Sequence, residues 1–329
     1  MEKKIIIKFL SKIIQLIFLI LAVSFIAFWL IDQSPIDPIV SFSRSRNIGL
    51  TDEQKEKLIA QWDLNRPFIE RFILWFKNLI QGDLGVSNIY NKPVISIVKE
   101  GFSSSILLMF LAWILQGFIG FLLGIISGIK VNTFIDKIIT RYAIVISSTP
   151  TFWVALLMIM FFSLYLGWFP IGFGSPIGLA QSDVTWLDRI YYAMLPAITL
   201  ALVGTGNIIL HTRKKVIEIM NSEFILYQKS RGITGFDLIT RTALRNVAFP
   251  MITIQFSNFS ELFSGAILAE RAFNYQGLGN YSVEAGLRGD LPLLLGISFY
   301  SALFVFVGNQ LADLFYLFSD HRIRKGGLI

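Results

Sequence analysis

The chain has 329 residues, 54% of them hydrophobic and only 16% charged, against roughly 25% charged in soluble domains; a soluble fold of this size cannot hide so much apolar surface. Its net charge of +7 comes from Lys and Arg beside apolar segments, where they act as topology signals rather than as a nucleic-acid footprint. With no cysteine and only His211 and His321, disulfides, a thiol nucleophile and a Cys-ligated metal are excluded, and no metal site is expected.

Lys3, Lys4, Lys8 and Lys12 precede an apolar run from Ile13 to Ile31 that ends at Asp32. The run exceeds the ~7–15-residue core of a signal peptide, and Phe25, Phe28 and Trp29 fill the region where small cleavage-site residues belong. It is read as an uncleaved first helix. Residues 33–100 carry nine Lys/Arg against eight Asp/Glu, the mark of a solvated extramembrane segment. Within it Thr51 and Gln54 have capping-box spacing, and from Pro67 the residues Phe68, Phe72, Trp75, Phe76 and Leu79 recur at helical spacing. That face is expected to lie on the membrane surface or on neighbouring helices.

Further spans are expected at 102–129, 138–168, 191–210, 251–269 and 291–318, giving an all-α integral membrane protein of about six transmembrane helices. Gly120, Gly124 and Gly128 form a small-xxx-small stripe that lets a neighbouring backbone approach. Pro150 is expected to kink the third span, and residues 171–189 read as a loop. Lys130, Lys137 and Arg141, then Arg213, Lys214, Lys215, Lys229, Arg231, Arg241 and Arg245, and finally Arg322, Arg324 and Lys325 mark one side of the membrane. Counting them places both termini inside and 33–100 outside. The expected organisation is therefore a first helix over 1–32, an extracytoplasmic segment 33–100, a five-helix core 101–320 with a cytoplasmic connector 211–246, and a tail 321–329.

That connector is too long for a tight turn and too ordered for a disordered loop. Ser222 to Phe236 reads as a small helix interrupted at Gly232 and resumed, with apolar residues among its charges, as suits a docking element. In the fifth span Gln255, Asn258, Glu261 and Ser264 repeat every three residues. Polar groups are costly in lipid and face a bundle interior or wet cavity, so these four are candidates for a translocation path. Packing of Glu261 against a partner helix is the plainer alternative.

Gly232 followed by Arg245-Asn246 and Pro250 resembles the cytoplasmic signature loop of permeases in ATP-binding-cassette importers. Over nearly its whole length the chain is similar to the first-type permease of the dipeptide/oligopeptide/nickel group. The matching positions include Asp37-Pro38, Leu64-Asn65-Arg66-Pro67, Gly82-Asp83-Leu84-Gly85, Pro150-Thr151-Phe152-Trp153, Leu195-Pro196-Ala197, Ala243-Leu244-Arg245-Asn246, Gly277-Leu278-Gly279, Asp290-Leu291-Pro292 and Asp320-His321-Arg322-Ile323-Arg324. Departures fall at Leu226-Tyr227-Gln228, where the family has small or charged residues, at Tyr275-Gln276-Gly277 for its Trp-Pro-Gly, and at Asp320-His321-Arg322 for its Asp-Pro-Arg.

The resemblance implies a type I importer permease fold in a bacterial inner membrane, a second homologous permease, two cytoplasmic ATP-binding subunits and an extracytoplasmic substrate-binding protein. It implies ATPase docking through Glu223, Tyr227, Gln228, Arg231, Gly232, Arg245 and Asn246. No G-x-x-x-x-G-K-[ST] loop occurs, so ATP and Mg are expected on the partner ATPases, with no cofactor and no catalytic residue in this chain. Peptides are the expected cargo, with nickel or a metal chelate as the alternative. A proton-coupled secondary transporter would want membrane acidic or His relays and inverted halves; a membrane-embedded enzyme would want a nucleophile, metal or acid/base cluster.

Overall fold

The computed structural model describes residues 2–34, 39–40, 42–43, 49–61, 63–176, 178–179, 183–233, 235–238 and 244–319. Asp37-Pro38, Arg241, Ala243 and the expected tail with Asp320-His321-Arg322 lie outside them. Every named element is helical, as a bilayer requires when each segment must satisfy its own backbone polar groups.

In chain order the helices are α1 (Glu2–Asp32), α2 (Asp52–Gln61), α3 (Phe68–Ile80), α4 (Val94–Ile129), α5 (Phe134–Ser147), α6 (Thr151–Met158) continued by a π-helical segment (Ile159–Tyr165), α7 (Trp186–Met220), α8 (Glu223–Ser230), α9 (Gly235–Asp237), α10 (Leu244–Ser257), α11 (Phe259–Ala272), α12 (Leu278–Arg288) and α13 (Leu291–Ser319). Among the described residues, α1 over Leu10–Asp32, α4, α7 and α13 over Leu291–Ala312 are each long and apolar enough to cross a membrane. Helix α5 with α6 and its π segment is a fifth when that bent pair counts as one span. The expected segment 251–269 is divided between α10, which contains Pro250, and α11, with Asn258 alone between them.

The chain forms two compact units, Met1–Ser105 with Gln276–Phe306, and Ile106–Tyr275 with Val307–Ile329. In the first, α3 turns its aromatic face onto α1: Phe25 and Phe28 meet Phe68 and Phe72 edge to face, with ring centroids 5.3–5.7 Å apart. Arg71 pairs with Asp32 at the end of α1. Thr51 and Gln54 form the reciprocal cap, Thr51 N–H donating to Gln54 Oε1 at 2.9 Å and Gln54 N–H to Thr51 Oγ1 at 3.4 Å. The Gly82–Gly85 motif is a turn with φ of +81° and +77° at its glycines, closed by Gly85 N–H donating to Asp83 Oδ1. It delivers Leu84 into a core of Leu79, Val94, Ile97, Leu278, Leu293 and Ile297. Buried Asp290 ties the next turn to the start of α13, accepting from Ser87 Oγ at 2.6 Å, Ile89 N–H at 2.9 Å and Leu293 N–H at 3.2 Å. Nearby Tyr90 donates its hydroxyl to Glu284 Oε2; burial, then that acceptor, holds its phenol above the usual pKa.

In the second unit the glycine stripe of α4 lies on α7. A Cβ at Gly120 would meet Ile208 Cγ2 at 2.7 Å, one at Gly124 would meet Thr212 Cβ at 2.6 Å, and one at Gly128 would meet Val216 Cβ at 2.6 Å. Both stripes advance four residues per contact, one helical turn each. The third span bends where the kink was expected, and sharply: α5 and α6 meet at 107°. Pro150 supplies no N–H and holds Thr149 out of helical conformation, so α5 stops at Ser147 and α6 restarts at Thr151. Helix α7 runs further than the expected 191–210. A Thr185–Asp188 capping box opens it, and it continues through the basic stretch to Met220.

Candidate functional site

Two places in the second unit gather the residues singled out by sequence. The first is the segment after α7. Helix α8 ends in a Schellman motif: Ile233 N–H donates to Gln228 O at 3.2 Å and Gly232 N–H to Lys229 O at 3.0 Å, with Gly232 at φ +82°. This is the left-handed position that glycine takes without a Cβ penalty. Fully buried Ile225 and Leu238 pack with Ile219, Met220 and Ile233, anchoring α8 to the end of α7.

The opposite side is open. Phe224, Leu226 and Tyr227 are large apolar or aromatic residues on the surface; Glu223, Arg231 and Gly232 are exposed and Gln228 is half-buried. The Arg231 guanidinium stands 5.9 Å from the Tyr227 ring centroid. Arg245 and Asn246 belong to the first turn of α10, beyond residues 239–243, which lie outside the described set. The exposed face of α8 therefore presents aromatic and cationic groups on a rigidly capped helix.

The second place is a cavity of about 340 Å³ where α4, α7, α11 and the break between α5 and α6 converge. Asn258, Glu261 and Ser264 line it, joined by Gln116, Ser147, Thr149, Thr151 and Asn207. Asn207 Nδ2 donates to both Glu261 carboxylate oxygens, at 3.2 and 3.3 Å. Gly204 and Gly265 also lie in the wall, and the Leu200 side chain would sit 2.8 Å from a Cβ at Gly265. The site therefore holds a carboxylate, several neutral donors and acceptors, and an apolar floor.

Gln255 does not join this group. Its Nε2 donates to Trp113 O, while Trp113 Nε1 donates back to Gln255 O at 3.2 Å. Gln255 belongs to α10 and Ser264 to α11, with Asn258 between the two helices, so the row spaced by three residues is not one continuous face. The sequence reading missed Asn207, Gln116, Ser147, Thr149 and Thr151 as cavity residues. Their signal was present, since Gln116 and Asn207 are polar residues inside apolar spans.

A family model described as binding-protein-dependent transport system inner membrane component matches residues 120–325. The chain is 28% identical to the oligopeptide transport system permease protein AppB of Bacillus subtilis, over 93% of this chain and 95% of that protein. It is 30% identical to a putative peptide transport system permease protein of Brucella abortus, over 96% and 98% of the two chains. Identity to the dipeptide transport system permease protein DppB of Escherichia coli is 25%, over 92% and 94%.

Proposed function

Because the chain belongs to the family of binding-protein-dependent transport system inner membrane components, we propose that it is the peptide-translocating permease subunit of an ATP-driven importer, a multi-pass protein of the bacterial inner membrane. Peptide cargo is taken over nickel from the relatives named for peptides, oligopeptides and dipeptides. A second permease completes the path, two ATPase subunits carrying ATP and Mg grip α8, and an external binding protein delivers the substrate. Both termini lie inside, which puts α8 in the cytoplasm.

The observation that carries this reading is the continuity of α7. Asn207 stands in the cavity wall and Met220 abuts α8, all on one helix. Thirteen residues at 1.5 Å each make about 20 Å of rigid connection. A displacement imposed on α8 is thereby delivered to the wall holding Asn207 and Glu261, the kind of bistable linkage that transport coupling needs. Glu261 contributes a negative charge to the path, suited to the amino terminus of a peptide.

The test is reconstitution of the importer in proteoliposomes and uptake of labelled trialanine. ATP-dependent uptake, with the ATPases co-purifying on this chain, supports the proposal. Uptake driven by a proton gradient without ATP would overturn it in favour of a secondary transporter.

A further inference from the structure

The cavity offers opposite electrostatic preferences to one ligand. On one wall Glu261 is a carboxylate whose hydrogen-bond partner, Asn207, is neutral. On another the right-angled break at Pro150 presents the N-terminus of α6, which no side chain caps. Trp153 N–H already donates to Pro150 O at 3.0 Å, which leaves the amides of Thr151 and Phe152 without an intrahelical acceptor, and the aligned peptide dipoles place roughly half a positive charge there. Thr151, the first residue of α6, lines the cavity.

A second observation points to a ligand in the same cavity. Gln116 lines the same cavity and is only 2% exposed, yet its Nε2 has no hydrogen-bond partner. An unmade hydrogen bond on a buried amide costs about 1–3 kcal/mol, and a carboxylate arriving beside it would supply the acceptor. The volume of about 340 Å³ falls in the ~300–1,000 Å³ range of small-molecule sites.

We infer that this cavity holds the zwitterionic backbone of a short peptide in transit, with its ammonium at Glu261 and its carboxylate at the first turn of α6 beside Gln116. The inference rests on the peptide-import reading and adds to it a demand for both free termini. Helix-end amides for the carboxylate and a side-chain carboxylate for the ammonium recognise the backbone alone. Side-chain variety in the cargo is then tolerated.

The test uses the assembled importer in nanodiscs without the external binding protein, so that selectivity measured is that of the membrane path. Trialanine, N-acetyl-trialanine and trialanine amide are titrated calorimetrically. Glu261→Gln, which keeps an acceptor for Asn207, is expected to weaken trialanine and its amide about tenfold and leave the acetylated peptide unchanged. Gln116→Met is expected to weaken trialanine and the acetylated peptide about tenfold and leave the amide unchanged. Equal weakening of all three peptides by either variant assigns that residue to packing and overturns the inference. So does absence of wild-type binding up to millimolar peptide. ATP-dependent trialanine uptake measured in parallel separates the two readings: uptake without binding removes this site alone, and loss of both removes peptide import as well.

Discussion

Arg213 holds Asp136 with two parallel hydrogen bonds, Nε to Oδ1 at 2.7 Å and Nη2 to Oδ2 at 2.9 Å. The carboxylate is 4% exposed and also accepts from Ser127 Oγ at 2.5 Å and Asn132 N–H at 2.8 Å. One carboxylate thus joins the end of α4, the start of α5 and the stretch of α7 between the cavity and α8. Removing one partner of such a pair leaves the other buried without compensation, at about 3–5 kcal/mol. Asp136→Asn is therefore expected to lose about 3 kcal/mol, seen as a lower midpoint of thermal unfolding for the purified importer. The double variant Asp136→Leu with Arg213→Met should recover much of that loss. A double variant as unstable as the sum of its singles would show that the two residues act separately.

Glycines of equal helical rank are expected to differ by what surrounds them. A Cβ at Gly124 would stand 2.6 Å from Thr212 Cβ and 2.9 Å from Ile209 O, and a backbone oxygen cannot swing aside. At Gly286 a Cβ meets nothing within 4 Å among the described residues. Gly286→Ala should leave stability unchanged or raise it by about 0.5–1 kcal/mol through helix propensity. Gly124→Ala should separate α4 from α7 and lower both thermal stability and uptake. Identical behaviour of the two alanines would dismiss the close-approach role of the stripe.

The glycine stripe, the Thr51–Gln54 cap and the aromatic face at Phe68, Phe72 and Trp75 were all legible in sequence because each is a local pattern at fixed spacing. What was not legible depends on partners far along the chain. Asp136 and Arg213 are 77 residues apart, and nothing in either neighbourhood names the other. Pro150 announced a bend, but its size is set by how α5 and α6 each pack on other helices. The polar row from Gln255 to Ser264 was visible, whereas its division was not. Trp113 captures Gln255, and only the fold reveals that Asn207 and Gln116 complete the cavity in its place.

Orientation is testable by single-cysteine labelling, since the chain has no native cysteine. The positions must be exposed. Ser87, although in the expected external segment, is buried on Asp290 and is unsuitable. Gln81 at the end of α3 and Asn221 just after α7 are both exposed. With both termini inside, Gln81→Cys should react with an impermeant maleimide applied to intact cells, and Asn221→Cys only after the membrane is opened. The reverse pattern would invert the topology and remove α8 from the cytoplasm.

Gly232 distinguishes two ways in which a glycine can serve a docking helix. Its φ of +82° lies where a side chain with a Cβ costs roughly 1–2 kcal/mol and where asparagine is tolerated better than other residues. Among the described residues a Cβ there meets nothing within 4 Å, so the backbone conformation and a partner's approach are the two effects to separate. Gly232→Val is expected to unwind the Schellman end of α8, weaken ATPase co-purification and reduce uptake sharply. Membrane insertion should persist, because the apolar spans are untouched. Gly232→Asn keeps the left-handed geometry but adds bulk. If backbone conformation is what the partner needs, Asn should retain most of the wild-type uptake while Val loses it. Equal loss by both variants would instead mean that the ATPase approaches the backbone at Gly232 closely. Wild-type uptake by Gly232→Val would remove α8 from the coupling path altogether.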